Sequence, residues 1–539
     1  MTRQPIGKHL LKAGLINDDQ LRIALLEQRK SGCRLGKQLA ALGFAAEGEI
    51  HDLLAIQLGV ERYDPGRHPV SHEAIQLVPP ETARRQRLLP IAVEPEHKRW
   101  RLALASPQDP GTLDSVRRHT PPGLAADILL ASEGEIESAI DQHYGHALAI
   151  EHILGEFEGS DRIASLHGDS PAVRLVDALL ADAVRRHASD LHFAPEKACL
   201  RIRYRIDGIL QTIRILHKST WPPLASRLKI LAGMNIAESR APQDGHFCRP
   251  LGGREIDFRV ASQPTIDGEN IVLRILDRQK GIVPLESLGI GETQRQQIEI
   301  MLARPEGLLL VTGPTGSGKT TTLYSLIKRL NHDGVNIMTL EDPVEYPLPL
   351  LRQTSLSDNV KLDFAGGVRS MLRQDPDIVL IGEIRDAETA AMALRASLTG
   401  HRVFATLHAG SAISALSRLR ELGIDPRQLH GNLSGIVAQR LLRRSCPDCR
   451  RATPAAARQE NCPRCNGSGY SGRLALLEIL RIDAGLDLLL ADAASPAQLL
   501  AEARQRGFSS LAENGLQLVQ AGITTREEVA RVVDLSEYR

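Results

Sequence analysis

Between Glu306 and Tyr324 the chain reads EGLLLVTGPTGSGKTTTLY, an order that few folds accommodate. Leu308, Leu309, Leu310 and Val311 form a short apolar run that reads as a buried strand, and the run breaks into glycines before a helix begins. Gly313, Gly316 and Gly318 let the backbone curl into a concave loop with its N–H groups turned inward. A β-phosphate fits there, on the positive end of the following helix. Lys319 supplies a point charge for the β- and γ-phosphates, and the Thr320 hydroxyl is placed to hold Mg²⁺. The full pattern G-x-x-x-x-G-K-[ST], with a strand before and a helix after, separates this stretch from an ordinary glycine-rich surface loop. Gly313, Pro314, Thr315, Gly316, Ser317, Gly318, Lys319, Thr320 and Thr321 are therefore the candidate nucleotide-binding residues.

Three further segments end an apolar run in polar residues. NIMTLEDPVEY ends in Glu341, Asp342 and Glu345; DPDIVLIGEIRD carries Ile378 to Ile381 into Gly382 and Glu383; VFATLHAG ends at His408. Buried parallel strands that release polar groups at their carboxyl ends place them in the crevice where an α/β sheet holds its ligand. Phosphoryl transfer needs groups that orient water and hold Mg²⁺ through its shell, and carboxylates at strand ends do both. Each acid alone could be a cap or a turn residue; three such segments after one phosphate loop point to a nucleotide hydrolase.

Cys446 and Cys449, then Cys462 and Cys465, form two CxxC pairs with twelve residues between them. Four thiolates so spaced close a tetrahedral structural Zn²⁺ site. Cys33, Cys199 and Cys248 stand alone and read as small packing residues.

At 539 residues the chain is too long for one core, and three or four domains are expected. Residues 1–60 form a tandem-repeat module: Ile6 to Gln28 and Leu35 to Gln57 align without a gap, 29 residues apart. The i, i+4, i+7 set Leu21, Leu25 and Gln28 predicts the face of a short helix that packs on the partner repeat. Residues 61–145, with LLPIAVE, RWRLALASP and ADILLAS before the helix EGEIESAIDQHYG, read as a small α+β domain. A linker is expected over 146–168 and an α+β middle domain over 169–285, with hairpins turning at Asp207-Gly208 and Asp267-Gly268. The alternating arginines of that domain, Arg201, Arg203, Arg205, Arg259 and Arg274, read equally as a solvated face. The nucleotide-binding domain takes 286–539, with the cysteine insertion at 446–465.

With these pieces placed, the chain resembles the secretion ATPase superfamily along nearly its whole length, and within it the type II secretion ATPase, with the type IV pilus extension ATPase beside it. GPTGSGKTTTLY, LEDPVEY, LRQDPDIVLIGEIRD, LTGHRVFATLHAG and the paired CxxC carry the resemblance, together with SDLHF, RIRYRIDG, MNIAESRAPQDG and GENIVLRIL. It implies a P-loop (RecA-like) α/β ATPase domain after a PAS-like α+β domain, working as a Mg²⁺-dependent homohexamer with nucleotide between middle and ATPase domains. Carried over, Glu383 polarises water, Glu341 belongs to an acidic box, and His401 and His408 fall in a histidine box. Arg259 and Arg274 reach the phosphates on closure. Arg369 and Arg373 serve the nucleotide site or the subunit interface, and their i, i+4 spacing predicts one helix face.

The N-terminal repeat resembles the tandem motif of pilus and secretion ATPases, some of which bind cyclic di-GMP; Arg34 fits its leading Arg, while the first copy has Ile6 for Leu and Arg3 as its nearest Arg. LHAGSAIS and SGRLALLEIL depart from the usual family continuations, which bears on the subfamily and not on a phosphate contact.

The implied function is assembly of a secretion pseudopilus and protein export across the outer membrane, or pilin polymerisation as the alternative. The implied partners are the cytosolic domain of an inner-membrane secretion protein and an inner-membrane platform protein. No window reaches about 18 uninterrupted apolar residues, and the N-terminus lacks a signal-peptide core, so the expected place is the cytoplasm, at the inner membrane through partners. Two rival readings belong to other classes. A nucleic-acid translocase is disfavoured by a net charge of +1 and 3% aromatic residues. A nucleotide- or cyclic di-GMP-binding regulatory scaffold would lack a catalytic acid, whereas Glu341 and Glu383 are both present.

Overall fold

The computed structural model describes residues 6–538 apart from 66, 95–97, 145–152, 155–169, 252–253, 278–282, 357–362, 453–461, 463 and 466. Two compact units divide the chain: Met1–Ile206 with Leu210–Asp277, and Arg278–Arg539 with the turn residues Asp207–Ile209. Of the linker expected over 146–168, only 153 and 154 fall among the described residues.

In the first unit the repeat forms two pairs of helices, Ile6–Lys12 with Asp18–Ser31 and Leu35–Ala41 with Glu47–Leu58. The pairing repeats as the sequence does. A Cβ on Gly7 would stand 2.7 Å from Leu21, and one on Gly36 would stand 3.0 Å from Ile50, the equivalent residue 29 positions on. Glycine at both sites lets two helices approach where any side chain would hold them apart. The expected Leu21, Leu25, Gln28 face is corrected: Leu25 is 41% exposed and Ala24 takes the core position. Ala24 stands three residues after Leu21, within the same helical stripe, and its small side chain fits the close approach.

A four-stranded sheet follows, from β1 (Glu61–Arg62), β2 (Leu88–Glu94), β3 (Arg99–Leu104) and β4 (Ala125–Leu130), in the order β1-β4-β3-β2. The six-stranded sheet comprises β5 (Ala188–Pro195), β6 (Cys199–Ile206), β7 (Ile209–His217), β8 (Gln243–Leu251), β9 (Arg254–Thr265) and β10 (Gly268–Asp277), in the order β7-β6-β5-β10-β9-β8. Leu191, Phe193, Ile202, Tyr204, Phe258 and Leu273 alternate onto the face covered by the helices Pro171–Arg185 and Trp221–Ala232. The first hairpin turns where expected, with Asp207 at φ 48° and Gly208 at φ 83°. The second turns one residue earlier than read: Ile266-Asp267 form the turn and Gly268 opens β10.

The second unit is built on a seven-stranded sheet: β11 (Gly307–Thr312), β12 (Ile337–Glu341), β13 (Leu351–Ser355), β14 (Ile378–Ile381), β15 (Arg402–Leu407), β16 (Leu433–Ser445) and β17 (Tyr470–Arg481). The order is β13-β12-β14-β15-β11-β16-β17, parallel throughout except for β17. Every residue of β11 is buried. Leu308 and Leu310 enter the core on one face, Leu309 and Val311 that on the other, which is why the strand reads as an unbroken apolar run. Among the described residues no helix is long and apolar enough to cross a membrane.

Candidate active site

The loop after β11 needs its glycines for two physical reasons. Gly313, Gly316 and Gly318 have φ of 151°, 79° and 87°. A Cβ on Gly313 would lie 2.5 Å from the Gln439 carbonyl oxygen, and one on Gly318 would lie 2.9 Å from Gln439 Nε2. Gln439 of β16 is the floor of the loop. Its Nε2 donates to the Ser317 carbonyl at 2.8 Å and its Oε1 accepts from Thr322 Oγ1 at 2.7 Å, so one buried amide joins the loop to the helix Lys319–Leu330. Lys319 Nζ donates to the carbonyls of Gly313 and Pro314, at 2.9 and 3.1 Å. Burial lowers the proton affinity of this ammonium, the Glu383 carboxylate raises it, and Arg440 lowers it. Thr320 is exposed at the start of the helix.

Glu383 follows β14 and His408 follows β15, its parallel neighbour. Glu383 Oε1 lies 2.8 Å from His408 Nε2, and Oε2 accepts from Arg385 Nε at 2.8 Å. Arg385 also reaches Asp342 at 3.3 Å. A Cβ on Gly382 would meet Glu341 Cα at 3.1 Å, so glycine is what lets β14 pass this close to β12 before the glutamate.

Glu341 departs from the expectation that all strand-end acids face the crevice. It is 3% exposed, and its carboxylate accepts from Tyr324 Oη at 2.5 Å, Thr339 Oγ1 at 2.6 Å and Gln353 Nε2 at 3.3 Å. Burial pushes its carboxyl upward, and these donors oppose the shift. Glu341 thus braces the helix of Lys319 from within the core.

His401 and His408 are not one cluster. His401 precedes β15, with Nδ1 3.0 Å from the Ala396 carbonyl, whereas His408 follows the strand. One strand length, about 20 Å, separates them. The helix carrying Arg369 is Phe364–Met371, so Arg373 lies beyond its end and the expected shared helix face is corrected. Arg373 Nη1 donates to the Arg369 carbonyl at 3.0 Å, and Arg369 pairs with Glu388 at 3.2 Å. Arg259 and Arg274 belong to the first unit, directly paired across β9 and β10. They line an open cleft of about 500 Å³ with Asp190, Asp244 and His246, and Arg274 Nε lies 3.4 Å from Asp190.

The four cysteines come together. All their sulfurs lie within 4.8 Å of one another, with Cys446 to Cys462 at 3.8 Å and Cys449 to Cys465 at 3.5 Å. Zn–S bonds of about 2.3 Å at tetrahedral angles place sulfurs about 3.8 Å apart, so the residues fit the metal. Backbone N–H groups of Cys465 and Arg464 bring the Cys462 thiol down to about 7, whereas burial pushes Cys446 up. The guanidinium of Arg443, shortly before Cys446, donates twice to buried Glu528 and lies 4.0 Å from the Tyr470 ring centre, and the backbone N–H of Arg443 donates to Glu528 once more.

Sequence reasoning missed Gln439, Thr322, Arg385 and Arg440. Gln439 and Arg440 sit in the apolar run of β16 with no motif of their own, and only the pairing of β16 beside β11 gives them a role.

A phosphate loop on a mostly parallel sheet, with a glutamate and a histidine brought together beyond the ends of two neighbouring strands, defines a P-loop ATPase. The chain belongs to the type II/IV secretion system protein family, whose model matches residues 165–531, and it is an ATPase. An MshEN domain model matches residues 58–150, the module that follows the repeat. The chain is 38% identical to the type IV pilus assembly ATPase PilB of Myxococcus xanthus, over 97% of this chain and 98% of that one. It is 44% identical to type II secretion system protein E of Dickeya dadantii, over 70% of this chain and 78% of that one. Among solved structures, the pilus retraction motor PilT with bound ADP is similar over 67% of this chain and 97% of its own, with 26% identity and a TM-score of 0.50.

Proposed function

We propose that the chain hydrolyses MgATP as a homohexamer and uses the cycle to drive assembly of a secretion pseudopilus, recruited to an inner-membrane platform by the cytosolic domain of a membrane partner. The observation that carries this reading is the placement of Glu383 and His408 just after adjacent strands of the sheet that bears the phosphate loop. In it Glu383 polarises the attacking water and Lys319 neutralises phosphate charge, while the backbone N–H groups of Gly313 to Thr321 cradle the phosphates. Exposed Thr320, with Glu383 and Asp342 at neighbouring strand ends, is an oxygen donor set of the kind a hard divalent cation takes. Such an ion supplies charge neutralisation on the β- and γ-phosphates. Arg259, Arg274, Arg369 and Arg373 are the further cations of the cycle, contributed from the same or a neighbouring chain. Zn²⁺ held by Cys446, Cys449, Cys462 and Cys465 is structural.

The pilus reading has its own support, since the PilB relative is matched over 97% of this chain and the type II relative over 70%. Cyclic di-GMP binding is a proposal for the N-terminal region. Arg34, which fits the leading Arg of that tandem motif, donates to Ser106 at 2.8 Å.

The test is ATP turnover recorded with particle mass, for the chain alone and with the cytosolic domain of a secretion or a pilus membrane protein. Turnover per chain should rise as six-chain particles form, and only the cognate partner should stimulate it. Full turnover by single chains, unaltered by Arg259→Ala, would contradict the hexameric motor.

A further inference from the structure

We propose that Arg440 is a positioning residue of the ATPase site, tying the loop that carries His408 to the floor of the phosphate loop, with buried Glu478 as the anion that anchors this tie to two helices behind it. The inference rests on the ATPase reading for its kinetic half only.

Arg440 follows Gln439 on β16 and is half-buried. Its Nη1 donates to the Gln439 carbonyl at 2.9 Å, and its Nη2 donates to the Gly410 carbonyl at 2.8 Å. That same Gln439 carbonyl is the atom a Cβ on Gly313 would strike, and the Gly313 carbonyl in turn accepts from Lys319 Nζ. One rigid guanidinium fork therefore spans two pieces of backbone: the floor under Gly313, and the chain two residues beyond His408. An ammonium cannot hold both carbonyls in this planar fork geometry.

Glu478 of β17 is the registered partner of Ala438, so it shares a sheet face with Arg440, two residues along. It is 3% exposed and makes no close ion pair among the described residues. Instead, Oε1 accepts from the Ala412 N–H at 2.7 Å and Oε2 from the Leu511 N–H at 3.0 Å. These are the first residues of the helices Ala412–Glu421 and Leu511–Gln520, so one carboxylate caps two helix N-termini. Burial raises the Glu478 carboxyl, and the two N–H donors and the Arg440 charge oppose it; burial lowers Arg440, and Glu478 opposes that. The four residues His408 to Ser411 are thus fastened by Thr312 Oγ1 on the Ala409 carbonyl at 3.2 Å, by Arg440 on Gly410, and by Glu478 on Ala412. At the other end of this short span His408 Nε2 meets Glu383. A change in the phosphates at Lys319 has a continuous route through Gly313, Gln439 and Arg440 to the histidine that touches the water-polarising glutamate.

The test uses the full chain with Arg440→Gln, Arg440→Lys and Glu478→Gln, read by hydrogen exchange and by kcat and KM for ATP. Exchange at the amides of 409–412 should quicken at least tenfold in Arg440→Gln, with β11 and the helix Lys319–Leu330 unchanged. Its kcat should fall at least tenfold with KM altered less than threefold, and Arg440→Lys should fall between it and the wild type. Glu478→Gln should quicken exchange at both Ala412 and Leu511. Unchanged exchange at 409–412, or a raised KM at wild-type kcat, would overturn the proposal and make Arg440 a bystander or a plain phosphate ligand. A wild type without turnover would count against the ATPase reading, while the exchange result would still decide the tie. If Arg440→Gln fails to fold, Arg440→Lys carries the same decision.

Discussion

Glu383 Oε1 stands 2.8 Å from His408 Nε2, the two residues lying just beyond the carboxyl ends of two parallel neighbours of the sheet. Arg385 holds the second carboxylate oxygen, so both oxygens of Glu383 are aimed by side chains. Freeing one of them by His408→Ala should lower kcat roughly 10- to 100-fold, the scale of an oriented catalytic base, with nucleotide affinity kept. Steady-state kinetics beside a fluorescent-ADP titration checks this. Weakened binding at unchanged kcat would assign His408 to the nucleotide instead.

Gln439 makes a different prediction, because it acts on the loop and not on the water. Gln439→Ala leaves the Ser317 carbonyl and the Thr322 hydroxyl without their buried partner, at about 1–3 kcal/mol. Affinity for ADP should fall about tenfold or more, each factor of ten corresponding to about 1.4 kcal/mol. An ADP titration at fixed Mg²⁺ measures it.

Much of this was legible in the sequence, and the exceptions share a cause. β11, β14 and β15 read correctly because strands buried on both faces are continuous apolar runs bounded by functional residues. Glu341 looked like its neighbours, but strand alternation turns it inward beside Thr339, two residues earlier, and Tyr324 meets it there. His401 shared a motif with His408 and lies at the opposite end of the strand, since sequence nearness along a strand is distance in space. Gln439, Arg440 and Glu478 were invisible for the converse reason: the loop and helix residues they hold lie 30 to 122 residues away in the chain. The i, i+4 spacing of Arg369 and Arg373 reads as one helix face, but the helix stops at Met371.

The cysteine lobe gives a prediction about metal. The purified chain should carry about one zinc, and a strong chelator or Cys446→Ser with Cys462→Ser should open the segment around Arg450 and Arg464 to trypsin. Metal analysis with mass spectrometry of the fragments checks both. A metal-free chain that resists cleavage there would show that packing alone holds the lobe.

Glu528 gives the pH dependence. Burial alone would raise its carboxyl, but Arg531 and Arg443 hold it below the usual carboxylate range. The unfolded chain therefore binds more protons as pH falls, and this contribution is complete above about pH 4.5 and lost as pH drops through the folded value. Thermal melts from about pH 6 to about pH 3 should show the C-terminal helices loosening first, with a shallower acid dependence in Glu528→Gln. Identical slopes in the two proteins would rule out this carboxylate as the source.

The most direct test of the whole account is the steady-state rate of ATP hydrolysis by Glu383→Gln against the wild type, with nucleotide binding measured on the same samples. Binding should stay within about threefold of wild type while turnover falls at least about 100-fold, the loss of roughly 2.7 kcal/mol of transition-state stabilisation. Turnover surviving in Glu383→Gln at near the wild-type rate would contradict it.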